Sequence, residues 1–177
     1  LAYLQMLYSS NCPNWFKKLQ TGTMSKVEKL LADLHSQIPE RRQSATMKLW
    51  NYWYFEAGEL GELEIQKGVD LMDQKNPKQA QFHFESIIKK YPDFAEAHNK
   101  LATVLFLMED YEGAIKECEV TLRMNPNHFG AWHGKGLCLY KLASYSEAIE
   151  SFRSALKIQP YADINRVYIA TCMGNLN

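Results

Sequence analysis

The sequence predicts an all-α fold, a right-handed superhelix of stacked helical hairpins with an atypical helical cap at its N-terminal end. Three observations carry that expectation. Pro92, Pro126 and Pro160 stand 34 residues apart, and Ala80, Ala114 and Ala148 precede them by twelve. Phe84, Cys118 and Phe152, and then Ile87, Thr121 and Ala155, keep the same period between those marks. A small residue recurs at Gly68, Ala102 and Gly136. One period that governs both small and large positions is an internal repeat, and it sets the architecture before any single element is considered.

Each unit reads as two helices. In Ala131 to Leu142, Trp132, Gly136 and Leu139 fall at intervals of four and three, which places them on one helical face. After a break, Ala148, Phe152 and Ala155 repeat the pattern on a second helix. The small residues let the two axes approach and the large ones fill the groove between them. Proline then ends the second helix, because it has no amide to donate and disfavours helical angles at its predecessor. One hairpin buries too little apolar surface to offset its chain entropy, so neighbours must stack.

The phrase Trp132-x-x-Lys135-Gly136-x-x-Leu139, followed by Tyr145, Ala148, Phe152, Ala155 and Pro160, resembles a tetratricopeptide repeat (TPR). The third unit fits best. The second departs with His98 at the tryptophan position and Cys118 at the phenylalanine, and the first with Glu64 and Lys67 where apolar residues are expected. The resemblance covers about two thirds of the chain, and it implies a platform for protein partners with no catalytic centre.

In order, residues 1–24 form an N-terminal arm. Leu1, Leu4, Leu7 and Tyr8 share a face, Ser9 to Pro13 break it, and Trp15 and Phe16 follow. Docking on the solenoid is expected because so much apolar surface seldom stays solvated; filling the protein's own groove and reaching a partner stay open. Residues 25–60 read as a degenerate capping helix pair. Ser25-x-x-Glu28 has capping-box spacing for a helix to about Gln37, Pro39 opens the next, and Gly58 and Gly61 are expected to end it. The aromatic run from Trp50 to Phe55 within it implies core packing on more than one face. Three repeats follow at 61–94, 95–128 and 129–162, with helices near 62–74 and 77–91, 94–108 and 111–124, and 128–142 and 145–158. Residues 163–177 form a C-terminal capping helix beginning at Asp163.

Composition removes several function classes. Twenty basic and twenty acidic residues balance, so no overall field favours nucleic acid. No apolar run approaches the roughly 20 residues of a membrane span. Cys12, Cys118, Cys138 and Cys172 lack CxxC spacing and read as free thiols. The expected compartment is therefore reducing and intracellular: the cytoplasm, or a chloroplast or mitochondrion if a transit peptide has been removed. No phosphate loop is present, and His98, His128 and His133 lack zinc-ligand spacing and read as structural, so no metal, cofactor or catalytic residue is expected.

The resemblance implies that residues two, five, nine and twelve of each unit line the inner groove. These are Glu62, Ile65, Val69 and Met72, then Glu96, Asn99, Thr103 and Phe106, then Gly130, His133, Leu137 and Tyr140. A mixed lining of this kind suits an amphipathic helix or extended peptide from a protein partner. Chaperone-binding members of the family grip a C-terminal carboxylate with lysine, asparagine and arginine. The corresponding places here hold Ile65, Val69, Lys100, Gly130 and Gly134, or one unit on Asn99, Thr103, Gly134, Ile164 and Tyr168. Neither register builds that clamp, so heat-shock chaperone tails are not expected as partners. The expected function is a non-enzymatic adaptor or scaffold. The alternative is a structural or assembly subunit embedded in a larger complex.

Overall fold

A computed structural model describes residues 24–176. The chain divides into two compact units, 1–49 and 50–177. The described residues form nine helices and no strand. The expected arm therefore lies outside the described residues except for Met24.

In the first unit, α1 (Lys26–Asp33) starts at the capping box foreseen from the sequence. Ser25 Oγ accepts from the Glu28 amide at 3.2 Å, and Glu28 Oε2 accepts from the Ser25 amide at 2.9 Å. The helix stops at Asp33, earlier than the expected Gln37. Arg42 secures the turn after it by donating to the Ser36 and Gln37 carbonyls at 2.9 and 3.1 Å. Helix α2 (Pro39–Tyr54) begins at the expected proline, and its last turn, from Trp50 on, belongs to the second unit.

The second unit contains three helix pairs and a final helix: α3 (Gly58–Asp73) with α4 (Pro77–Lys90), α5 (Ala95–Leu107) with α6 (Tyr111–Met124), α7 (Phe129–Lys141) with α8 (Tyr145–Ile158), then α9 (Asp163–Leu176). Each second helix packs against its own first helix and against the next one, while α3 meets α5 and α5 meets α7. The proline corners are equivalent. Tyr91, Asn125 and Gln159 donate to Ile87, Thr121 and Ala155, and Phe94, His128 and Ala162 donate back to Tyr91, Asn125 and Gln159.

The turn inside each pair is equally periodic. Lys75, Glu109 and Ala143 take φ of 56°, 64° and 57°. The following residues, Asn76, Asp110 and Ser144, donate to Leu71, Leu105 and Leu139, five positions back. This is the Schellman arrangement, built three times without a glycine. Phe84 and Phe152 are fully buried where Gly68 and Gly136 leave room for their rings.

Gly58 serves the turn expected of it, and Gly61 does not. Gly58 has φ +73° and makes the turn that opens α3, whereas Gly61 lies inside α3. A Cβ on Gly61 would stand 2.5 Å from that of Ala57, so its glycine serves a close approach and not a helix end.

Candidate functional site

The face formed by the first helices α3, α5 and α7 is where the groove residues fall, and the structure sorts them into three groups. Ile65 is buried in the core at 1% exposure, so it presents nothing to a partner. Glu96 and Asn99 are also buried, at 0% and 8%. Val69, Met72, Phe106, His133, Leu137 and Tyr140 are half-buried, and Glu62 and Thr103 are exposed.

The burial of Glu96 and Asn99 has a specific cause. Glu96 Oε2 stands 2.9 Å from His128 Nε2, and Glu96 Oε1 stands 3.2 Å from Asn99 Nδ2 and 3.3 Å from Lys100 Nζ. His128 Nδ1 accepts from the Ala131 amide at 3.0 Å, capping α7, so Nε2 carries the proton donated to Glu96. The end of α2 closes over this cluster. The Trp53 ring stacks on the His128 imidazole at 4.3 Å, and Trp50 meets His128 and Phe129 edge-on at 5.4 and 5.3 Å. Lys100 Nζ sits 5.0 Å from the Tyr54 ring centroid and 5.7 Å from that of Trp50. Burial works against the Lys100 ammonium, but the Glu96 charge and Tyr54 outweigh it, and its pKa is raised.

The aromatic run is therefore split. Trp53 is buried and Trp50 and Tyr54 half-buried, while Tyr52 and Phe55 are exposed at 48% and 51%. Burial on more than one face, expected from the sequence, does not hold for Tyr52 and Phe55. They point away from the side of the helix occupied by Trp50, Trp53 and Tyr54.

The remaining candidates are partly engaged in packing. Phe106 meets Tyr111 edge-on at 5.5 Å; Tyr140 meets Tyr145 at 5.9 Å and Tyr168 at 5.6 Å. His133 Nδ1 lies 2.7 Å from Asn165 Oδ1. His98 Nδ1 lies 2.6 Å from Glu117 Oε2, and His83 Nε2 donates to the Glu64 carbonyl at 2.8 Å with Glu64 Oε2 at 3.5 Å. These last two pairs occupy the same places one period apart, with acid and imidazole exchanged. Comparing position 64 with 98 and 83 with 117 reveals the exchange in the sequence itself.

Cys118, Cys138 and Cys172 are free and buried, as the sequence suggested; Cys12 lies outside the described residues. Burial pushes the Cys118 thiol up strongly and that of Cys138 up to about 12. Among the described residues no group of three or more histidine, cysteine or acidic side chains is placed to hold a metal ion, and no helix is long and apolar enough to cross a membrane.

Comparison with known proteins agrees with the repeat geometry. The family model for anaphase-promoting complex, cyclosome, subunit 3 matches residues 73–155. A TPR repeat-containing protein of Rhizobium etli is 27% identical over 147 residues, covering 80% of this chain and 72% of its own length. The helix pairs are tetratricopeptide repeats. The chain's TPR segment also resembles the Protein SGT1 homolog of Homo sapiens, with 26% identity over 58% of this chain and 28% of that protein. Against Tetratricopeptide repeat-containing protein trd-1 of Caenorhabditis elegans it is 29% identical over 80% of this chain but only 15% of the relative. Among solved structures, the first TPR of Spaghetti (RPAP3), bound to an HSP90 peptide, superposes with a TM-score of 0.63 at 16% identity, over 64% of this chain and 90% of that one. The Arabidopsis OM64 TPR domain gives 0.62 at 20% identity, over 64% and 93%. These likenesses establish an all-α TPR solenoid.

Proposed function

We propose that this TPR protein is a non-enzymatic adaptor that holds a peptide or helix of a protein partner on the face of its first helices, without a chaperone-type carboxylate clamp. The observation that carries this is one register repeated on the first helices of three consecutive repeats. Met72, Phe106 and Tyr140 stand 34 apart on α3, α5 and α7, each half-buried, with exposed Thr103 beside them on α5. Half-buried apolar and aromatic groups beside polar ones suit the anchors of a bound peptide. The relatives support an interaction role in general: the RPAP3 structure holds an HSP90 peptide, and an Hsp70-Hsp90 organizing protein of Glycine max is 25% identical over 67% of this chain. The clamp is another matter. Of the places it requires, Lys100 alone is basic in the first register, and its ammonium is engaged with Glu96, Trp50 and Tyr54.

Thr103→Arg tests the groove. The side chain is exposed, and its hydroxyl donates to the Asn99 carbonyl one turn back at 3.0 Å. Affinity capture of the cellular partner is expected to fall more than tenfold with an unchanged far-ultraviolet spectrum, whereas Glu150→Arg on α8 leaves it unaltered. Equal capture by wild type and Thr103→Arg would reject groove binding. The subunit alternative draws on the family-model match to a component of the anaphase-promoting complex, and there capture would survive Thr103→Arg.

A further inference from the structure

We infer that the Trp50–Tyr54 end of α2 is an internal ligand of the groove, and that the partner class this site takes is an amphipathic helix presenting two aromatic side chains at i and i+3. The inference rests on the adaptor reading and specifies which ligand the groove accepts.

The seat is built from the starts of two first helices, and it fits this segment on one side only. Trp53 lies flat on His128, whose other contacts, to Glu96 and to the Ala131 amide, fix its plane. Trp50 enters beside it where Gly130 has no side chain, since a Cβ there would stand 2.6 Å from Trp50 Cη2. Lys100 faces the Trp50 and Tyr54 rings from α5. Trp50, Trp53 and Tyr54 are spaced i, i+3 and i+4, so a single helical face carries all three contacts.

The contacts are stacking, edge-on and cation–π in kind, which any helix with suitably spaced aromatics reproduces. The seat also takes up groove position two of the second repeat and of the third, at Glu96, held by His128, and at Gly130, against Trp50. A partner reaching those positions must take the place of the tryptophans. On the far side of the segment, Asn51, Tyr52 and Phe55 are exposed. The segment ends in the turn at Gly58, where φ is +73° and the Gly58 amide donates to the Phe55 carbonyl at 2.8 Å.

The test uses the full chain carrying Trp50→Ala and Trp53→Ala, with a fluorescent synthetic peptide of residues 46–57 as the probe. By fluorescence anisotropy the variant is expected to bind the peptide at least tenfold more tightly than wild type, whose seat is filled. Replacing both tryptophans in the peptide is expected to weaken binding at least tenfold. A variant with a wild-type circular dichroism spectrum that ignores the peptide, or equal binding by wild type and variant, would overturn the inference.

Hydrogen exchange on the wild-type chain decides the matter independently of whether the variant folds. Amides of residues 50–57 are expected to exchange at least tenfold faster than those of α6 and α8, through an opening that leaves the repeats intact. Exchange of all three at one rate would overturn the inference. Peptide binding by the variant combined with full cellular capture by Thr103→Arg would reject the adaptor reading while upholding the aromatic seat. Intact Thr103-dependent capture without peptide binding would do the reverse.

Discussion

Gly136→Ala probes the packing of a repeat at its tightest point. A Cβ on Gly136 would stand 2.6, 2.7 and 2.8 Å from three atoms of the Phe152 ring. That ring has no freedom to retreat: it is fully buried, stacked on Tyr168 at 5.2 Å and tilted against His133 at 5.7 Å. Overpacking of this kind costs about 1–3 kcal/mol. Alanine gains about 1 kcal/mol of helix propensity over glycine. The net expectation is a loss of about 1 kcal/mol. The second repeat shows the compensated arrangement, with Ala102 and Cys118 where the third has Gly136 and Phe152. Phe152→Cys alone empties the site and should cost about 3 kcal/mol. Added to it, Gly136→Ala meets no ring and becomes favourable by about 1 kcal/mol. The double-mutant cycle therefore predicts a coupling of about 2 kcal/mol, within the range found for residues in contact. Urea unfolding followed by circular dichroism at 222 nm measures all four chains, provided the slope against denaturant stays constant. Additive effects, or Gly136→Ala at least as stable as wild type, would refute the reasoning.

Ala143→Gly removes a side chain from the left-handed residue of the third repeat's turn, and a stabilisation of about 0.5–1 kcal/mol is expected in the same unfolding assay. His98→Glu sets a second carboxylate against Glu117 and should cost about 1–3 kcal/mol; adding Glu117→His restores most of it, because the first repeat already holds the exchanged pair as Glu64 and His83. The HSP90 peptide SRMEEVD, seen with the RPAP3 domain, is expected to give no anisotropy change on this chain up to about 1 mM, which corresponds to binding weaker than about −4 kcal/mol. Saturation below that concentration would show that Lys100 is free to hold a carboxylate.

The repeats were legible because their signals are local and periodic. Pro92, Pro126 and Pro160 end helices for a covalent reason, and Gly68 and Gly136 pair with Phe84 and Phe152 sixteen positions later in the same unit. The turns at Lys75, Glu109 and Ala143 lack the glycine that usually advertises a left-handed residue, so their periodic geometry left no mark in composition. The seat of Trp50 and Trp53 was hidden for a different reason. It joins residues more than seventy positions apart and has no counterpart in the other repeats, so no period reveals it. Groove positions taken from the resemblance alone could not show that Glu96 and Asn99 are buried in the hydrogen-bonded cluster around His128, or that Ile65 belongs to the core.

The account turns on a partner lying along the first helices, and a site-specific photo-crosslink measures that contact directly. With a photoreactive phenylalanine analogue at Thr103 on α5, and separately at Arg153 on α8, both exposed, irradiation of the full chain in its native extract is followed by mass spectrometry. An adduct with a partner polypeptide at position 103 and none at 153 is the predicted result. Adducts at 153 with position 103 silent would contradict it.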